Sequence, residues 1–155
     1  MRQRFSRAEA PRVKLSDPLL ESAQGKTIVF VTEESNLRSE SKLMPYMFQR
    51  TGASSASRVL GYCGFYDQPG QIKADLLILR SSKLFPIHLG KLHKALEAFR
   101  APNPKAAAIL SLLDISLLSC FEQFVSAGLI SHVETSLADD PTLIKAGLEI
   151  IGRRH

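Results

Sequence analysis

The chain has 155 residues, 45% of them apolar and 23% charged, with a formal net charge of +5. That length and composition fit one globular domain with a core of its own and exclude a disordered or fibrous chain. No apolar run approaches the roughly 20 residues that span a bilayer, so no membrane contact is expected.

The positive charge is concentrated at the ends. Residues 1–14 hold Arg2, Arg4, Arg7, Arg12 and Lys14 against Glu9, a net +4, and Arg153 and Arg154 add +2. Residues 15–152 are left at −1, so the body offers no basic excess for nucleic acid. The basic start leads into no apolar signal core. Residues 1–25 read as a flexible basic tail, residues 26–152 as one domain, and residues 153–155 as the start of a linker or the C-terminal end. Cys63 and Cys120 have no CxxC partner, the pattern of two reduced thiols in a cytoplasmic protein.

Lys26 to Thr32 is the first predicted strand. Its apolar run without alternation implies cover on both faces, the mark of a parallel sheet. Asn36 to Gly52 reads as a helix with Leu37, Met44, Met47 and Phe48 on one side. Pro45 inside it removes a backbone hydrogen bond and predicts a kink or a displaced start. Ser57 to Tyr62 is a more polar strand, placed at a sheet edge. The glycines and proline of "CGFYDQPGQIK" predict a loop or a broken short helix. Leu76 to Leu79 forms another apolar strand, ending at Arg80. His88 to Arg100 is helical, with Leu89, Leu92, Leu96 and Phe99 at helical spacing. "KAAAILSLLD" is the fourth strand. Ser116 to Ala127 is a helix stopped by Gly128, and "LISHVETS" is the fifth strand. "ADDPTLIKAGLEIIG" closes the chain as a helix, with acids in its first turn and Pro141 near its first position. Alternating strands and helices predict an α/β fold, a doubly wound five-stranded parallel sheet of flavodoxin-like order 2-1-3-4-5.

In that order, spacing and strand texture, residues 26–152 resemble a receiver domain, the phosphorylation module of bacterial response regulators. "DPTLIKAGLEIIG" is similar to the last receiver helix of LuxR/NarL-type transcription regulators. The resemblance implies five groups at the carboxyl ends of the strands: two Mg²⁺-binding acids, an acceptor aspartate, a Ser or Thr, and a lysine. Phosphoryl transfer needs a carboxylate nucleophile and a hard cation with oxygen ligands. Here the acids fall at Thr32 and Glu33, or at Glu33 and Glu34 one register on. The acceptor position holds Arg80, the hydroxyl position Ser111, and the lysine position Glu134, within one residue toward Val133. Arginine cannot accept a phosphoryl group by this route and repels Mg²⁺. The resemblance therefore implies a degenerate receiver. Arg80 is expected either to bridge to Glu33, Glu134 or both, or to point into solvent from a drifted site.

No other catalytic or metal constellation stands out. His88, His93 and His132 lack ligand-spaced partners. Ser111 and Asp114 lack a GxSxG elbow, and the glycines of 61–70 fit no phosphate-binding loop. Asp139 and Asp140 fit helix-start acids, and Phe121 and Phe124 fit core. No cofactor and no metal are expected. Leu143, Ile144, Leu148 and Ile151 supply more apolar surface than a single stripe needs. They are read either as a homodimer contact or as a broad core-facing stripe. The resulting expectation is a non-enzymatic regulatory and dimerisation domain, the N-terminal part of a LuxR-type regulator, acting by protein contact. DNA would be reached only through a helix-turn-helix outside this chain. The alternative is a small-ligand site, for an anion such as a cyclic dinucleotide, or an enzyme site at the Glu33, Arg80 and Ser111 edge.

Overall fold

A computed structural model describes residues 23–81, 89–112, 118–135 and 140–153. Five strands are present: β1 (Ile28–Thr32), β2 (Arg58–Gly61), β3 (Leu76–Ser81), β4 (Ala107–Leu112) and β5 (His132–Glu134). They alternate with α1 (Glu34–Thr51), α2 (Tyr62–Asp67), α3 (Leu89–Arg100), α4 (Leu118–Ser126) and α5 (Asp140–Arg153). A 3₁₀ turn, Pro69–Gln71, follows α2. The sheet order is β2-β1-β3-β4-β5 and every pairing is parallel. This is the doubly wound flavodoxin-like order, with the reversal beside β1.

The strands' period of two divides the core between the two sheet faces. Val29, Val31, Leu77, Leu79, Ala108 and Leu110 meet Phe65, Leu92, Leu96, Phe99, Phe121 and Phe124 of α2, α3 and α4. Ile28, Phe30, Leu76, Ile78, Ala107 and Ile109 meet Met44 and Phe48 of α1 and the apolar side chains of α5. Because both faces are covered, β1 and the apolar part of β3 are buried without alternation.

Several boundaries differ from the expected ones. α1 begins at Glu34, earlier than residue 36, and continues through an exposed Pro45 to the left-handed Gly52 at φ 74°. β2 stops at Gly61, and Tyr62 opens α2. The glycine-rich stretch therefore contains a short helix, held by burial of Tyr62 and Phe65 three residues apart. The four proposed contact residues of α5, Leu143, Ile144, Leu148 and Ile151, are 0–6% exposed and lie in the second core cluster. Their apolar excess covers the sheet, so α5 presents none of them to a partner. The tail up to residue 22, His88, Asp114, Ser116, Asp139 and residues 154–155 lie outside the described residues.

Candidate functional site

The strand register brings the residues singled out by sequence into one row. Arg80 pairs with Ser111, and Ser111 with Glu134. On the other side Val31 pairs with Leu79, so Thr32 and Arg80 follow one step on; Thr32 also pairs with Gly61. The row Gly61, Thr32, Arg80, Ser111, Glu134 crosses the sheet at the carboxyl ends of its strands, where α/β folds place their sites. Alternation turns Arg80 toward the face of Leu76 and Ile78, which α1 and α5 cover.

That orientation decides what Arg80 meets. Its guanidinium lies 3.6 Å from Glu40 Oε1 of α1, with the two side chains 31% and 18% exposed. The guanidinium carbon is 5.9 Å from the centre of the Phe30 ring, within cation–π range. Glu40 sits on the inner flank of α1, where no sequence motif marks it. At the far end of the row, His132 Nε2 lies 3.1 Å from Glu134 Oε1.

The acidic pair after β1 is split between two roles. Glu34, the first residue of α1, accepts a hydrogen bond of 2.8 Å from the Cys63 backbone N–H. This satisfies one of the open donors at the start of α2. The carboxylate rests over Gly61, where a Cβ would come within 2.3 Å of Glu34 Oε1. The negative charge of Glu34, and next a hydrogen bond from the thiol itself to that carboxylate, raise the Cys63 thiol above its ordinary pKa. Glu33 acts on the neighbouring residue in the same sense: it helps raise the phenol of Tyr62, after burial and Tyr66. Tyr62 is 7% exposed, and its hydroxyl donates to the Arg80 carbonyl at 2.7 Å. The start of α2 is thus tied to the start of α1 through Glu34 and to the end of β3 through Tyr62.

Among the described residues no group of three or more His, Cys, Asp or Glu side chains converges as a metal site. No helix among them is long and apolar enough to cross a membrane. Tyr62, Cys63 and Glu40 are the participants that motif reading misses. For Tyr62 and Cys63 the available signal was their place at the end of the second strand.

No family model matches the chain, and no curated protein matches it. Similar solved structures include the pilus assembly protein CpaE of Caulobacter crescentus, 13% identical over 85% of this chain and 97% of that one, TM-score 0.47. A CheY-like response regulator of Mesorhizobium loti is 13% identical over 84% and 99%, TM-score 0.48. A LuxR-family DNA-binding response regulator of Silicibacter pomeroyi is 17% identical over 82% and 92%, TM-score 0.41.

Proposed function

We propose that this chain is a non-phosphorylatable, receiver-like regulatory module that acts by protein contact. One observation carries the reading: the end of β3 holds Arg80, ion-paired to Glu40 and laid over Phe30. A guanidinium is no phosphoryl acceptor, and its charge opposes a cation at the same place. Glu34, the second of the adjacent acids, is engaged as the acceptor for the Cys63 N–H. The same pairing weighs against the ligand-site alternative, since the Arg80 charge is already matched by Glu40. Regulation of a LuxR-type transcription factor, with dimerisation, is the larger setting we propose, and DNA contact would belong to a separate helix-turn-helix. With the α5 residues in the core, a dimer would form through another surface.

The experiment is incubation of the full chain with acetyl phosphate and Mg²⁺, read by intact-mass spectrometry. No covalent phosphoryl adduct is expected. Arg80→Asp alone is expected to stay unmodified as well, because Glu34 remains held by Cys63 and the lysine position stays acidic. A stable adduct on the unaltered chain overturns the reading.

A further inference from the structure

The charges of α1 are sorted by side. Its two carboxylates are both engaged, the exposed Glu34 by the Cys63 N–H and the half-buried Glu40 by Arg80. Its three cations, Arg38, Lys42 and Arg50, are all exposed. Arg38, Lys42, Tyr46 and Arg50 recur every four residues, so they form one ridge along the outward side of the helix. At 1.5 Å per residue the ridge runs about 18 Å. Beside it, Leu43 is 64% exposed and Tyr46 67% exposed. Among the described residues no other large hydrophobic side chain is as open; the next, Val125 and Leu118 on α4, are 40% and 37% exposed.

A single exposed leucine means nothing. Here a leucine and a tyrosine three residues apart share a helix face with arginine and lysine, and the carboxylate one turn before Arg38, Glu34, is held by the Cys63 N–H. Tyrosine and arginine are the side chains that most often carry binding energy at protein interfaces. We infer that this outward face of α1 docks the acidic face of a partner protein, with Leu43 and Tyr46 entering an apolar patch ringed by carboxylates. The inference rests on the protein-contact reading above and names its surface.

The charge and shape of this face favour such an occupant over two others. A second copy meeting α1 through a two-fold axis would bring the cations of one ridge against those of the other, and like charges facing each other disfavour an interface. A nucleic-acid strand would match the cations and stack on Tyr46. Its sugar–phosphate surface would leave Leu43 nothing to bury against.

The test uses the full chain and three fluorescent probes followed by anisotropy: a helical peptide with leucines on one face and glutamates on the other, polyglutamate, and an oligothymidine strand. The amphipathic acidic peptide is expected to bind best, with affinity falling as salt rises. Leu43→Ser and Tyr46→Ser are each expected to weaken it about tenfold. Arg38→Glu with Lys42→Glu should remove most of the salt dependence. These side chains are exposed, and a thermal melt checks that each variant folds. No binding of the peptide, binding indifferent to these substitutions, or preference for the oligothymidine overturns the inference. Failure here with acetyl phosphate still inert overturns the α1 face alone; a phosphoryl adduct overturns the reading of the strand ends.

Discussion

The Arg80 guanidinium and the Glu40 carboxylate stand 3.6 Å apart, joining the end of β3 to the inner flank of α1. Each is partly open to water, so the pair itself is worth little. A double-mutant cycle with Arg80→Met and Glu40→Gln should give a coupling of about 0.5–1 kcal/mol in urea unfolding. Arg80→Ala should cost more, about 1–2 kcal/mol, because its stem and its contact over Phe30 are lost too. A coupling of zero would reduce the pair to chance proximity.

The central strands were legible because three of the five strands are short apolar runs between punctuating residues. Ile28 to Thr32 and Leu76 to Leu79 show no alternation, and the sheet buries both of their faces. Register then follows: Arg80, Ser111 and Glu134 stand at one level near the ends of their strands. What a linear reading could not supply was the lie of α1 across the sheet. Glu40 meets Arg80 only because that helix turns its inner flank toward β3. Tyr62 and Cys63 were hidden for a related reason. The glycines around them leave a loop or a broken short helix open, and tertiary burial of Tyr62 and Phe65 selects the short helix. The α5 stripe was ambiguous because an apolar excess has the same composition whether it faces a sheet or a partner.

Gly61 and Glu34 form a second testable unit. Gly61 has φ −81°, which any residue adopts, so its need for a bare Cα is steric. A Cβ would meet Glu34 Oε1 at 2.3 Å. The carboxylate is the end of a flexible chain and can swing away, but the Cys63 N–H then loses its acceptor. Gly61→Ala and Glu34→Ala should each cost about 0.5–2 kcal/mol, the usual range for a lost helix cap. The double variant should cost little more than either alone. Simple additivity in chemical unfolding would mean the two do not act through the same hydrogen bond.

Gly147 marks where α5 presses on the sheet. An added Cβ would lie 2.3 Å from Leu76 Cδ1, and Leu76 is fully buried. Alanine in a helix interior is normally better than glycine by about 1 kcal/mol. Here Gly147→Ala should destabilise by about 1–3 kcal/mol, because an overpacked core must shift backbone or rotamers. Adding Leu76→Val, which trims the opposing side chain, should recover part of that loss. A Gly147→Ala variant that melts higher than the parent would show that α5 can ride away from β3 at no cost.

The phenol of Tyr62 makes stability depend on alkaline pH. Burial first, then Tyr66 and Glu33, raise its pKa well above the ordinary 10.0. Tyr66 shifts the same way, pushed up to about 12 by burial and then by Cys63. A raised folded pKa means that the folded chain holds its proton after the unfolded chain has released it. The contribution is therefore complete below pH 10.0 and is lost as pH climbs from there toward the folded value. Urea midpoints should be flat through neutral pH and fall once pH passes 10.0, with the Tyr62 tyrosinate signal, read as the difference from Tyr62→Phe, appearing only on unfolding. Tyr62→Phe should lower stability at neutral pH by about 1 kcal/mol, through the lost hydrogen bond to the Arg80 carbonyl. The same variant should flatten the alkaline decline. A wild-type chain whose tyrosines all ionise near pH 10.0 while it remains folded would contradict the buried, hydrogen-bonded placement of this hydroxyl.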